Sequence, residues 1–125
     1  MAVTESPIVI VAGPDEHGVG EELSALGATV SRIEDVVSTA TLEAAGIDEA
    51  AYLVLTDVEE ATGIPVAKEL NPAVTVVTYA DTSLPAFVAA VADLAVDPAL
   101  VGPIVVAEEV FAGDVGGNTT EANGK

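Results

Sequence analysis

The sequence predicts an α/β fold of Rossmann type: a doubly wound parallel sheet of about five strands, in the order 2-1-3-4-5, with helices on both faces. Three observations support this prediction. Half of the 125 residues are hydrophobic, and nearly all of these are Ala, Val, Leu or Ile, which suits a buried parallel sheet. Short apolar runs alternate with segments of helical spacing. Gly, Pro or polar residues follow each run, as expected where a strand leads into a turn.

The first strand and helix are the clearest elements. Residues 8–12 (IVIVA) form a continuous apolar run that ends at Gly13, which is typical of a central parallel strand. Gly27 is the expected C-cap of the helix that follows. That helix is indicated by apolar residues at helical spacing, namely Val19, Leu23 and Leu26.

The middle of the chain predicts two more strands. Residues 30–33 form the second strand, and 50–55 (AAYLVL) form a third, buried one. Residues 41–45 between them provide at most a short helix. Residues 58–70 have a helical composition, but Pro65 interrupts them, so the helix either kinks at Pro65 or begins there.

The last part predicts two strands and two helices. Residues 74–78 and 94–96 are the strands, and Ser83 is the expected cap of the helix between them. Residues 103–111 predict a final helix that ends at Gly113. We therefore expect a flexible N-terminus at 1–6, one α/β domain at 7–113 and a disordered tail, rich in Gly, Asn and Thr, at 114–125.

The charge is extreme for a chain with a real core. There are 21 acidic residues against three basic ones, a net charge of −18, with a mean hydropathy of +0.54 that does not suit a disordered chain. Near 1 M salt the Debye length is about 3 Å, so repulsion between surface carboxylates is largely screened. The charge therefore predicts an organism with molar salt in its cytoplasm, such as a halophilic archaeon.

The same charge restricts the partners. So few bases exclude nucleic acid bound through its phosphates, and they exclude an anionic membrane surface. The sequence holds no cysteine, no apolar stretch long enough to span a membrane and no signal-peptide pattern at its start. We therefore predict a cytoplasmic protein without direct membrane insertion.

The residues after the first strand follow a nucleotide-binding fingerprint. Gly13 and Gly18 bracket the segment Gly-Pro-Asp-Glu-His-Gly, spaced like G-x-G-x-x-G between a strand and a helix. Glu34 ends the second strand, where an acid usually binds a ribose hydroxyl. Asp15, however, stands where the middle glycine approaches a diphosphate, and we expect no Lys or Arg nearby to offset its charge. A carboxylate beside a diphosphate is unfavourable unless a cation bridges them.

One segment carries a family resemblance. Residues 44–72, AAGIDEAAYLVLTDVEEATGIPVAKELNP, resemble the middle of the TrkA N-terminal, or regulator-of-potassium-conductance (RCK), domain. The resemblance implies a Rossmann domain that binds NAD(H) or an adenine nucleotide, forms dimers and regulates potassium transport. Gly13, Gly18 and Glu34 match the family's phosphate-loop and ribose positions, while Thr56 and Asp57 match its polar pair after a strand.

The chain also departs from that family. Asp15 replaces the middle glycine, and there is no room between Glu34 and Thr41 for the family's usual second helix and third strand. The C-terminal ligand domain is absent. We therefore expect a shortened, stand-alone regulatory module with a nucleotide site at Gly13, Asp15, Gly18, Glu34, Thr56 and Asp57, a homodimer or a transporter as partner, and as the alternative a protein-interaction domain without a nucleotide.

A response-regulator receiver is a competing interpretation. Its five strands would place Asp57 as the phospho-acceptor, Asp15 and Glu16 as metal-binding acids, and Thr78 at the next strand end. The receiver's lysine is missing, because Asp97 precedes Pro98 at that position. Without that cation, phosphoryl transfer loses an electrostatic stabiliser, which leaves a pseudo-receiver.

Three further hypotheses stay open. Asp15, Glu16 and Asp57 could hold Mg²⁺, although in a chain this acidic a salt-adapted acidic surface is the favoured explanation. The only histidine, His17, has no nucleophile near it in the sequence, so we predict no enzyme. The apolar run at 103–106 or an exposed sheet edge could form a dimer face, although a buried terminal helix explains that run more simply.

Overall fold

Four stretches of the chain, residues 7–34, 36–57, 62–80 and 92–112, are described by a computed structural model. The predicted N-terminal segment 1–6, the first part of the predicted helix at 58–70, the helix expected from Ser83, the stop at Gly113 and the tail at 114–125 lie outside these residues.

The strands form one parallel sheet in the order β2-β1-β3-β4-β5. This arrangement confirms the predicted fold class and strand order. Each strand lies within two residues of its prediction, because a strand buried on both faces has a continuous apolar sequence. The strands are Ile8–Ala12 (β1), Thr29–Ile33 (β2), Tyr52–Leu55 (β3), Thr75–Tyr79 (β4) and Leu94–Val96 (β5).

The helices of the described residues are Val19–Leu26 (α1), Thr39–Ala45 (α2), Gly63–Leu70 (α3) and Pro103–Ala112 (α4), with a 3₁₀ turn at Ile47–Glu49. Helix α2 begins two residues earlier than predicted because Ser38 caps it. The Ser38 hydroxyl accepts from the Thr41 amide at 3.3 Å, and the Thr41 hydroxyl accepts from the Ser38 amide at 2.8 Å. Pro65 lies in the first turn of α3, where a missing N–H is tolerated.

Helices cover both faces of the sheet. On one face, α2 and α3 bury their apolar side chains against β1, β3 and β4; these side chains include Ile10, Leu53, Val76, Leu42 and Ile64. On the other face, α1 and α4 pack against each other and against the same strands; the side chains there include Val9, Val54, Val77, Leu23 and Val110. The alternation along each strand sends successive side chains to opposite faces.

Helix α1 ends at Gly27, as predicted. Gly27 has a φ of 108°, and its amide donates to the Ser24 carbonyl at 3.0 Å. Glycine adopts this left-handed conformation without the steric cost that a Cβ atom imposes. The turn allows the chain to reverse directly from α1 into β2, which then pairs with β1.

Candidate functional site

The candidate site lies where the parallel strands end. Gly13 follows β1, Glu34 follows β2, and Thr56 and Asp57 follow β3. Because β2, β1 and β3 are neighbours, these residues meet at one edge of the sheet. Ligands of doubly wound α/β proteins commonly bind at this edge, where the strand order reverses.

Gly13 is packed tightly against the residues that follow β3. It has a φ of 102°, and a Cβ atom at this position would lie 2.5 Å from Thr56 Oγ1 and 3.0 Å from Asp57 Cβ. The amide and hydroxyl of Thr56 both donate to the Ala12 carbonyl, at 2.9 and 3.1 Å. Thr56 therefore joins the ends of β1 and β3, and this structural role is sufficient to account for a hydroxyl at position 56.

The carboxylate of Asp15 occupies the N-terminus of α1. It accepts from the Val19 and Gly20 amides, both at 2.8 Å. Amides at the start of a helix lack partners within the helix, so they are the usual binding groups for a phosphate. Asp15 takes that position in this protein.

Arg32 neutralises Asp15, which corrects the expectation that no base lies near it. Arg32 Nη1 donates to Asp15 Oδ2 at 3.1 Å, and the Asp15 side chain is only 9% exposed. The two residues are far apart in sequence, but β2 pairs with β1 and brings Arg32 beside the turn that follows β1. Sequence reasoning missed Arg32, although the predicted strand order and the scarcity of bases could have indicated it.

Gly18 closes the turn that precedes α1. Its amide donates to the Asp15 carbonyl at 3.1 Å, and it precedes α1 with a φ of 78°. This geometry gives Gly18 a structural role at the helix start. The spacing that resembles a dinucleotide fingerprint thus produces a tight turn capped by a carboxylate.

Two cavities flank Arg32 and Glu34 at the end of β2. One, of about 240 Å³, is lined by Gly13, Pro14, Asp15, Arg32 and Glu34. The other, of about 220 Å³, lies between the end of β2 and α2 and is lined by Arg32, Ile33, Glu34, Thr41, Ala44 and Ala45. Of the six predicted site residues, the first cavity brings together Gly13, Asp15 and Glu34. Gly18, Thr56 and Asp57 line neither cavity.

The receiver-like residues do not assemble a metal site. Within residues 7–34, 36–57, 62–80 and 92–112, no three His, Cys, Asp or Glu side chains gather closely enough to hold a metal ion. Asp97, where a receiver would carry lysine, accepts from the Ala99 amide at 2.9 Å. The buried hydroxyl of Thr78 finds no hydrogen-bond partner among the described groups.

Tyr79 connects the turn after β1 with the segment before α4. Its hydroxyl donates to the Val101 carbonyl at 2.8 Å, and its ring meets that of His17 edge to face, with centroids 5.6 Å apart. Burial raises the pKa of the Tyr79 phenol above its usual 10.0, and the charge of Asp15 raises it further. Tyr79 directly follows the strand predicted at 74–78, and its position in the sequence alone did not indicate these contacts.

Comparison with known proteins identifies a family. Residues 9–110 match the model of a family of unknown function, DUF7126, and the chain belongs to this family. No curated protein matches the chain. None of the helices in the described ranges has the length and apolar character needed to cross a bilayer.

Several solved structures share the fold. An orphan response regulator of H. pylori is 16% identical with a TM-score of 0.66, over 86% of this chain and 95% of that chain. A CheY-like receiver domain from Methanospirillum hungatei JF-1 is 15% identical with a TM-score of 0.64, covering 87% and 94%. A pilus assembly-related protein from Burkholderia pseudomallei K96243 is 14% identical with a TM-score of 0.61, covering 88% and 92%. At these identities the likeness concerns the fold.

Proposed function

We propose that this member of the DUF7126 family is a receiver-like protein-interaction domain that works without phosphoryl transfer and without a bound nucleotide. One observation carries the proposal: the Asp15 carboxylate is held by two amides of α1 and by Arg32. These groups would otherwise bind the phosphate of a nucleotide. Because an internal carboxylate already satisfies them, an incoming phosphate gains little there and meets a like charge.

The distribution of positive charge supports the same proposal. In the stretches that the structure describes, Arg32 pairs with Asp15 at 3.1 Å and Lys68 pairs with Asp93 at 2.6 Å. At the end of β5, a receiver's lysine is replaced by Asp97. A phosphoryl group transferred to Asp57 would therefore lack the cation that stabilises its developing charge. The function that we propose for such a domain is to bind a protein partner in the cytoplasm.

A nucleotide-binding regulator of the TrkA or RCK kind is the second candidate. It is favoured by the cavity of about 240 Å³ in which Gly13, Asp15 and Glu34 meet beside Arg32. In this candidate Glu34 binds the ribose of NAD or an adenine nucleotide. The phosphates have to displace Asp15 from α1 or reach it through Mg²⁺, and the regulated partner is a transporter.

One titration separates the two candidates. The ¹⁵N-labelled protein in molar KCl is titrated with beryllofluoride and Mg²⁺, then with NAD⁺, NADH, ATP, ADP and AMP, with and without Mg²⁺. For the interaction domain we expect no saturable shift of the Gly13, Val19, Gly20 or Glu34 amides at millimolar ligand. Saturable nucleotide shifts confined to these amides would establish the second candidate. A beryllofluoride response centred on Asp57 would establish a working receiver and contradict our proposal.

The Asp15→Ala variant tests whether Asp15 blocks phosphate binding at the start of α1. It frees the Val19 and Gly20 amides, so exchange of KCl for potassium phosphate at constant ionic strength should shift both amides in the variant and neither in the parent. Glu16→Ala is the matched control, because Glu16 is an exposed neighbour in the same turn. If the parent and Asp15→Ala respond equally, Asp15 does not block the helix N-terminus.

A further inference from the structure

An apolar groove runs between the edge strand β5 and helix α4. Strand β5 is at the opposite edge of the sheet from β2, so the groove is remote from Arg32 and Glu34. Its volume is about 400 Å³. We call it the β5–α4 groove and define it by six apolar residues: Leu94, Val96, Leu100, Val101, Val105 and Val106. It lies outside the candidate site described above.

The walls of the β5–α4 groove are unusually exposed for apolar side chains. Leu100 is 82% exposed, Val105 49% and Leu94 39%. Ile104, which is 54% exposed, extends the apolar surface along α4. Single exposed apolar residues are common, but a contiguous set around a concavity marks a site of protein interaction.

The groove favours contact through side chains. Among the strands of the described residues, β5 stands at the edge of the sheet and pairs with β4. It has only three residues, so it offers few backbone groups to an added strand. An occupant must therefore gain its affinity by inserting apolar side chains between Leu100 and Val105, as an amphipathic helix does in an apolar groove.

The charges that line the β5–α4 groove favour one kind of binding partner over another. Asp97 and Glu109 also line the β5–α4 groove, and the Ala99 amide orients Asp97. The two basic side chains that the described ranges contain, Arg32 and Lys68, form ion pairs elsewhere. A second copy of the chain would therefore place carboxylates against carboxylates. A partner with Lys or Arg beside its apolar side chains complements the groove.

We propose that the β5–α4 groove binds an amphipathic helix of a partner protein, whose apolar face enters the groove and whose flanking Lys or Arg residues meet Asp97 and Glu109. This inference rests on the proposed function as an interaction domain, and it names the surface and the chemistry of the partner. In molar salt the apolar contacts supply the affinity, because charges are screened within about 3 Å.

The test uses a defined probe, a synthetic helical peptide with Leu on one face and Lys on the other. Added to the ¹⁵N-labelled protein in molar KCl, it should give saturable shifts at Leu94, Asp97, Leu100 and Val105. Leu100→Ser and Val105→Ser should each weaken binding roughly tenfold or more. Val36→Ser is the control: Val36 is 63% exposed and lies beyond β2, at the other edge of the sheet, so affinity should not change.

Three results would overturn the inference. The first is that the Leu/Lys peptide binds Leu100→Ser as tightly as the parent or shifts residues scattered over the surface. The second is that a peptide with Glu in place of Lys binds equally well at the lowest KCl concentration at which the protein stays folded, where the charges of Asp97 and Glu109 are least screened. The third is that dilution without peptide moves the same resonances, which would make a second copy the occupant. Failure of the proposed function appears separately, as nucleotide shifts at Gly13 and Glu34 or as a beryllofluoride response centred on Asp57.

Discussion

The Asp15 carboxylate contacts three donors at once: the Val19 amide, the Gly20 amide and Arg32. In the sequence Asp15 is an obstacle to phosphate binding, and in the structure it is also a helix cap. Capping of this kind contributes about 1 kcal/mol. The ion pair with the partly exposed Arg32 adds up to about 1 kcal/mol. At the residue scale, therefore, Asp15 stabilises the turn and at the same time occupies the position of an anion.

Tyr79 leads to a prediction about pH. Its raised pKa means that the folded state binds the phenolic proton more tightly than the unfolded state, whose phenol titrates near 10.0. The stabilisation is therefore complete below pH 10 and is lost as the pH rises through the folded pKa. In Tyr79→Phe this loss should be absent.

Denaturant unfolding between neutral pH and strongly alkaline pH tests this. At neutral pH, Tyr79→Phe should be less stable by about 1 kcal/mol, because the bond to the Val101 carbonyl is lost. The difference in unfolding free energy between parent and variant should become smaller above pH 10. A constant difference across the pH range would mean that Tyr79 has the same pKa in the folded and unfolded states.

The start of helix α3 depends on a close contact with a neighbouring segment. Pro65 suggested a boundary, and the helix does start nearby, at Gly63. Gly63 is buried against the segment that leads into α2: a Cβ atom there would lie 2.3 Å from Val37 Cγ1 and 2.9 Å from Val37 Cβ. The close approach of α3 to this segment, and not the backbone of α3 itself, requires a glycine.

Gly63→Ala should therefore destabilise the protein even though alanine is the better helix former. The gain in propensity is at most about 1 kcal/mol, whereas overpacking of a buried contact costs about 1 to 3 kcal/mol. We expect a net loss of about 1 kcal/mol in the free energy of unfolding, measured by denaturant titration in molar KCl.

Gly102→Ala is the control for this substitution. A Cβ atom at Gly102 meets no atom within 4 Å, so its stability should stay within about 0.5 kcal/mol of the parent. If Gly63→Ala is as stable as Gly102→Ala, Val37 moves aside easily and the contact between α3 and this segment is loose.

At the scale of the whole molecule, charge dominates. A net charge of −18 on 125 residues destabilises the compact state through self-repulsion unless salt screens it. The two ion pairs of the described residues each hold a carboxylate that also accepts a backbone amide: Asp15 at α1 and Asp93 at the Val76 amide. The two bases thus hold particular carboxylates in place, and we expect bulk salt to screen the remaining acids.

The melting temperature should accordingly rise with KCl. Between about 0.1 and 1 M salt the Debye length falls from about 10 to about 3 Å, so most surface repulsion disappears. A variant with four exposed helix acids changed to glutamine should be more stable in dilute buffer and less sensitive to salt; the changes are Glu21→Gln, Glu43→Gln, Glu69→Gln and Glu108→Gln. Calorimetry of both proteins over this range is the measurement. If the melting temperatures of the two proteins rise equally with KCl, surface charge is not the cause of the salt dependence.

The strands were predictable because their sequences are continuous apolar runs. Residues 8–12 and 94–96 agree with β1 and β5 at both ends. Helix starts were less predictable, since Ser38 and Gly63 act through contacts with Thr41 and Val37. Part of the candidate site was also predictable: the strand order places Gly13 and Glu34 at one edge, and they do share a cavity. The nucleotide itself stays a prediction.

By itself the sequence determined the fold class, the strand order and the large negative charge, because these follow from local hydrophobic periodicity and from composition. Only the tertiary structure decided that Arg32 reaches Asp15, that Thr56 joins two strands, and that Leu100 and Val105 flank an open groove. Each of these is a contact between residues of different elements. Such contacts depend on strand register and on how a helix packs on the sheet, which no short stretch of sequence contains.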